Sequence, residues 1–335
     1  MMITDDSKAI VLICTKVVLD ESADISPLTL SGWNAIVGKI VNSKYQCPGN
    51  LFGESVDNLS KELDIPANEA ERIVRLLNYS SRLDFELERL RSLGIWILTR
   101  ADKDYPQRFK KRLKKYAPTV VFGAGERALI GQPGVAIVGS RNIDEQAHRF
   151  TEIIGNAAAY HGLVVYSGGA RGVDITAMKN AVEGRGYSVG ILATSLEKAL
   201  KNSLYREPLQ RGDMALIALY GTNIGFNVGT AMGRNKLIYA LSDYAVVVSC
   251  DLEKGGTWAG ATETLKHHWV PVFVRENETV PEGNVALIDQ KGAIPLPDPI
   301  PVNARKLKEW LDEKKKEWEE SIPRKPIVEQ KSLFD

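Results

Sequence analysis

Val135-Ala136-Ile137-Val138-Gly139-Ser140-Arg141 is an apolar run that ends abruptly in a glycine, a hydroxyl and an arginine. Leu163-Val164-Val165-Tyr166-Ser167-Gly168-Gly169-Ala170-Arg171-Gly172-Val173-Asp174 repeats the device. Each run is continuous rather than alternating, the pattern of a strand buried on both faces. Between them, residues 143–161 read as a helix. Strand, helix, strand in that order calls for a right-handed crossover between parallel strands.

The pattern extends outward. Strands are expected at 135–138, 163–166, 188–192, 215–220, 244–249 and 270–274, and helices at 143–161, 174–183, 196–201, 230–241 and 259–268. The class is therefore α/β, a doubly wound, mainly parallel sheet over residues 121–275. Residues 1–120 read as a small helical module and entry segment, with helices at 67–77 and 81–93 and a short strand at 95–98. Residues 276–335 read as a proline-rich linker carrying Pro281, Pro295, Pro297, Pro299 and Pro301, a charged helix with Leu307, Leu311 and Trp318 on one side, and a disordered tail.

The 335 residues suffice for two domains, and 44% hydrophobic with 25% charged residues excludes wholesale disorder. Lysine and arginine total 43 against 42 acids, so there is no polybasic coat, although a local patch is enough for nucleic acid. Three scattered cysteines, Cys14, Cys47 and Cys250, give neither a disulfide framework nor a zinc pair. No apolar run reaches the roughly 18 residues of a membrane span, and no signal-peptide order opens the chain, so a cytoplasmic protein is expected. The histidines His148, His161, His267 and His268 make no metal site, and no cofactor is expected.

In a parallel sheet, ligands bind at the carboxyl ends of the strands. Three segments there suit an anion: Gly139-Ser140-Arg141, the Ser167–Asp174 loop, and Gly233-Arg234-Asn235-Lys236. Glycines let backbone N–H groups approach a phosphate, a following helix start adds a favourable dipole, and arginine adds bidentate contacts. The candidate phosphate ligands are Gly139, Ser140, Arg141, Ser167, Gly168, Gly169, Arg171, Gly172, Arg234, Asn235 and Lys236. Asp174 is expected to cap the helix that follows it. Neither a GxGxxG fingerprint nor a GxxxxGK[ST] loop is present, which weakens NAD and ATPase readings.

These motifs in this order, with Arg234-Asn235 followed by Ile238 and Leu241-Ser242, resemble the DNA-processing protein DprA/Smf family. Leu93–Pro106 and Ala117–Gly123 resemble the family's entry segment, so the likeness covers residues 85 to 275. It implies a Rossmann-like single-strand DNA binder without turnover chemistry, acting in recombination or DNA uptake. It further implies protection of single strands, loading of a RecA-type recombinase, and a homodimer. Ala231 and Met232 stand where the family carries an aromatic and a proline for base stacking, which leaves Phe226 and Trp258 as the candidates for that role. Trp258 also reads as a core side chain.

A rival reading starts from Gly255-Gly256-Thr257 and Glu263, which resemble the GGxGTxxE motif of nucleotide phosphoribohydrolases, with altered spacing. Those residues would make a nucleotide sensor or, with Glu263 as the acting carboxylate, an N-glycoside hydrolase. Two further features stand apart. Residues 103–116 hold seven cations against Asp104, either a DNA-tracking run or a solvated helix face. Gln330-Lys331-Ser332-Leu333-Phe334 resembles the pentapeptide that docks on the bacterial sliding clamp, with Gln330, Leu333 and Phe334 as its anchors.

Overall fold

The computed structural model describes residues 3–20, 22–219, 221–223 and 228–322. The chain divides into two compact units, the first built on Met1–Gly123 and the second on Ala124–Ile217 and Gly225–Gln330.

The first unit holds helices α1 (Asp5–Cys14), α2 (Leu30–Asn42), α3 (Val56–Leu63), α4 (Ala67–Leu77), α5 (Ser80–Ser92) and α6 (Gln107–Leu113), with strand β1 (Ile95–Thr99). Strand β2 (Val120–Gly125) begins in it. Helix α1 is apolar nearly all round, and Ala9 to Ile13 are fully buried, so it forms the unit's centre. Leu59, Leu63, Ala70, Ile73 and Leu77 supply core from α3 and α4. Asp102 ties α1 to β1: its carboxylate accepts from Ser7 Oγ at 2.9 Å and from the Thr99 N–H at 2.6 Å.

The second unit holds strands β3 (Gly134–Val138), β4 (Val164–Ser167), β5 (Tyr187–Ile191), β6 (Met214–Ala218), β7 (Tyr244–Val247), β8 (Val272–Glu276) and β9 (Ile294–Pro297). They lie in the order β6-β5-β4-β3-β7-β8-β9, and every pair is parallel. The helices are α7 (Glu145–Tyr160), α8 (Val173–Glu183), α9 (Leu196–Leu200), α10 (Ser203–Arg211), α11 (Val228–Leu241), α12 (Gly255–His267), α13 (Glu282–Asp289) and α14 (Leu307–Ser321). The chain winds from β3 to β6 in one direction, then crosses back through α11 to β7 and continues the other way. Right-handed crossovers in opposite directions put α7 and α8 on one face and α11 and α12 on the other.

Alternate residues of each strand serve the two faces. Val135, Ile137, Val165, Val246, Phe273 and Leu296 pack with Phe150 and Ile154 of α7, Ala177 of α8, and Leu307 and Leu311 of α14. The expected strands and helices between 135 and 274 are all present, within a few residues at their ends.

Residues 276–302 are not the expected linker: they contain α13 and β9. Proline is tolerated here because Pro281 precedes the first turn of α13, where its missing N–H is not needed. Pro295 and Pro297 lie on β9, the outermost strand, which pairs on one side only. Arg275, 1% exposed, is held there by Asp298, whose Oδ2 accepts from Nε at 2.7 Å. No helix among the described residues is long and apolar enough to cross a membrane, and they contain no cluster of metal-ligating side chains.

Candidate nucleic-acid interface

The reversal of winding at β3 opens a crevice beyond its carboxyl end. Ser140 bridges to the end of β7: its N–H donates to the Ser249 carbonyl at 2.9 Å and its Oγ to the same oxygen at 3.2 Å. Around this junction lies a cavity of about 680 Å³. Gly139, Ser140, Arg141 and Asn142 line it after β3, and Ala170 and Asp174 from the next loop and helix. Arg234, Asn235, Ile238 and Tyr239 enter from α11, and Lys254, Gly255, Gly256 and Thr257 from the start of α12.

Charges divide into an inner and an outer set. Arg234 and Asp174 are inside, 6% and 7% exposed. They face one another beneath Gly168, and the Arg234 guanidinium donates to the Ile191 carbonyl. Burial pushes the Asp174 carboxyl above its ordinary range, and attraction to Arg234 and hydrogen bonds from the Ala170 and Gly168 amides pull it back in part. Burial likewise lowers Arg234, Asp174 opposes it, and the positive Arg141 adds to the lowering. Among the described residues, Arg234 Nε has no hydrogen-bond partner, nor has the Tyr239 hydroxyl, and burial holds that phenol well above its ordinary range, so it stays a donor.

The outer set is Arg141 and Lys254 on the cavity wall and Arg171, which is outside the lining, all exposed, with Asp251 as an exposed acid on the wall. Arg171 is steadied by Asn142, whose Oδ1 accepts from it at 2.6 Å. Helix α12 begins at the cavity with no side-chain cap and no acid in its first turn. Its first backbone N–H groups therefore favour an anion. Asn235 fixes that turn by donating from Nδ2 to the Gly256 carbonyl at 2.9 Å.

Two glycines are dictated by geometry. A side chain at Gly168 would come within 2.0 Å of Arg234 Nη1 and 2.5 Å of Asp174 Oδ2. Gly172 has φ +87, and a Cβ there would meet the Ser140 carbonyl at 2.4 Å. That packing locks the second Gly/Arg loop against the first.

The expected residues thus fall into groups. Gly139, Ser140, Arg141, Asn235, Gly255, Gly256 and Thr257 converge on one cavity, so the two rival motifs share a site. Arg234 lines its interior, where its charge is directed at Asp174 and the β5 carbonyl, rather than standing at the mouth as expected of a phosphate ligand. Asp174, expected as a cap, accepts loop amides and faces Arg234. Ser167 is buried, and its hydroxyl donates to the Ile137 carbonyl at 2.6 Å, so it holds β4 to β3 instead of reaching solvent.

Lys236 is outside the lining, because two residues along a helix turn the side chain about 200° from Arg234. Trp258 and Glu263 lie on α12, half-buried, and neither lines the cavity. The hydrolase alternative therefore loses its carboxylate. Phe226, Gln330, Leu333 and Phe334 lie outside the described residues. Sequence reading missed Asn142, Tyr239 and Lys254. Helical spacing from Arg234 and Asn235 points to Ile238 and Tyr239, and Lys254 stands directly before the glycine pair.

The family model described as DNA recombination-mediator protein A matches residues 96–300. Protein Smf of Synechocystis sp. is 27% identical over 192 residues, 55% of this chain and 47% of that protein. The chain thus spans about half the length of that curated relative. Two solved structures share the fold. DNA processing protein A (DprA) of Streptococcus pneumoniae aligns with a TM-score of 0.63 at 19% identity, covering 92% of this chain and 99% of that one. DNA processing protein A of Helicobacter pylori, described with a unique single-stranded DNA binding mode, aligns with a TM-score of 0.55 at 24% identity, covering 66% and 97%. With its matched region running from β1 through β9, the chain belongs to the DNA recombination-mediator protein A family, the DprA/Smf proteins.

Proposed function

We propose that the cavity and its rim bind single-stranded DNA through its phosphates, without turnover, in cytoplasmic recombination or DNA uptake. One observation carries the reading. Arg141, Lys254 and the uncapped start of α12 line one open cavity, with Arg171 held beside it by Asn142, while the inner Arg234 already faces Asp174. An anion offsets the outer positive charge, beside which Asp251 is an exposed acid on the cavity wall. The single-stranded DNA binding of the H. pylori relative supports the same ligand here.

Phosphates carry no base identity, so Arg141→Glu is expected to weaken oligo-dT and mixed-sequence strands equally. Binding equal to wild type would remove the cavity from the reading. Protection of bound strands, loading of a RecA-type recombinase and homodimerisation belong to the same proposal. Recombinase loading is read by co-precipitation of a RecA-type recombinase with DNA-bound protein, and dimerisation by sedimentation. The tail adds docking to the sliding clamp. Deleting Leu333 and Phe334 is expected to abolish clamp pulldown and leave DNA affinity intact, and unchanged pulldown would end that part.

A second reading, a nucleotide sensor, is favoured by the cavity's volume, which suits a small ligand, and by the Tyr239 donor, which has no partner among the described residues. Under it, AMP would protect the fold against heat while oligo-dT failed to bind.

A further inference from the structure

The first unit carries a second cationic surface that the cavity does not use. Tyr105, just before α6, and Phe109 and Leu113 within it recur every four residues, and all are buried. The Tyr105 hydroxyl is anchored to the Pro118 carbonyl at 2.6 Å. With this inner side fixed, Lys103, Lys111, Lys114 and Lys115 are exposed. Elsewhere in the unit, cations find acids: Lys8 with Asp84, Arg75 with Asp24, Arg82 with Asp20. Among the described residues none of these four lysines is in a salt bridge.

Two details show what the surface fits. Tyr116, the next residue, is 53% exposed, and the Lys115 ammonium lies 5.3 Å from its ring centroid. An outward aromatic ring among unmatched cations offers stacking as well as charge, the combination that single-stranded nucleic acid uses and a duplex with its bases inside does not. Lys114 has φ +51 and ψ −122, a backbone state natural only to glycine. A lysine there costs stability that a glycine would restore, which argues that its charge is used.

We infer that Lys111, Lys114, Lys115 and Tyr116 form a second contact for single-stranded DNA, in addition to the cavity. This rests on the DNA-binding reading above and extends it to the other unit. Backbone contacts come from the lysines, and one base stacks on Tyr116. Lys103 is exposed nearby in the sequence and reinforces the field.

The test uses the full chain and labelled oligo-dT in fluorescence anisotropy across a salt series. The triple variant Lys111→Gln/Lys114→Gln/Lys115→Gln is expected to reduce the slope of log affinity against log salt by about 2, since each phosphate contact on a single strand contributes about 0.7. Tyr116→Ala is expected to weaken oligo-dT about 5-fold or more, as loss of one stacked base does, and to leave duplex binding unchanged. Lys114→Gly separates binding from folding: it should raise the denaturation midpoint while weakening oligo-dT.

An unchanged salt slope in the triple variant, with wild type binding and Arg141→Glu impaired, would overturn the second contact and leave the cavity standing. Wild type that does not bind oligo-dT at all would overturn both. Equal, lysine-dependent binding of anionic phosphatidylserine vesicles would reassign the patch to a membrane surface and overturn the inference.

Discussion

Gly168→Ala tests the internal arrangement beneath the cavity. The backbone at Gly168 is not in the left-handed region, so alanine meets no conformational penalty there. What it meets is atoms: Arg234 Nη1 at 2.0 Å and Asp174 Oδ2 at 2.5 Å. Real Cβ contacts do not come that close, and these atoms are not free ends. Arg234 donates to the Ile191 carbonyl, and Asp174 accepts from the Ala170 N–H at 3.4 Å. Forcing a methyl into a packed interior costs about 1–3 kcal/mol.

The assay is urea denaturation, with Gly131→Ala as the reference. That glycine has φ +93 and nothing within 4 Å, so its substitution reports left-handed backbone strain alone, about 1 kcal/mol. A cycle with Arg234→Leu isolates the cause. If the guanidinium is what alanine strikes, the Gly168→Ala penalty shrinks by roughly 0.5–3 kcal/mol in the Arg234→Leu background. It does not vanish, because Asp174 Oδ2 remains. A penalty under about 0.3 kcal/mol, or full additivity in the cycle, would refute the packing of Arg234 under Gly168.

Other consequences are equally specific. Asp298→Ala strands the buried Arg275 charge and should lower unfolding free energy by about 3–5 kcal/mol, with Arg275→Met/Asp298→Leu recovering much of it. Asp312 on α14 accepts from Lys308 Nζ at 2.6 Å and from the Tyr244 hydroxyl; burial raises its carboxyl, but those bonds outweigh it and bring it below its ordinary 3.8. A depressed carboxylate stabilises above its unfolded value and is lost as pH falls through its folded one. The stability difference between wild type and Asp312→Asn should therefore be constant above pH 5 or so and close below about pH 4; a gap that persists in acid would count against the bond. Asn235→Ala frees the turn at Gly256 and should weaken oligo-dT binding without moving its salt slope, since no cation is removed.

The sheet was legible because β3, β4, β7 and β8 are buried on both faces and show as continuous apolar runs. The Gly/Arg ends of β3 and β4 marked the site for the same reason: nothing apolar belongs at a carboxyl edge where ligand and solvent meet. Arg234 was not legible as an interior residue. Its sequence neighbours, Asn235 and Lys236, are those of a phosphate-binding segment. Its burial is decided by Gly168 and Asp174, which only the tertiary fold brings against it.

The Gly255-Gly256 pair precedes the helix expected at 259–268 but opens α12, and that carries Trp258 and Glu263 along a helix and off the cavity. The prolines of 276–302 concealed β9 because a sequence does not say which strand is at the edge. Helix α10 was missed because Pro208 lies within it.

The most direct measurement is anisotropy of labelled oligo-dT at two salt concentrations, with wild type and Arg141→Glu side by side and with duplex and AMP as competitors. Wild type is expected to bind tightly, to weaken steeply as salt rises, and to resist both competitors; Arg141→Glu is expected to bind weakly at either salt. Salt-insensitive binding displaced by AMP, or an Arg141→Glu protein that binds as wild type does, would contradict phosphate capture of single-stranded DNA at the end of β3.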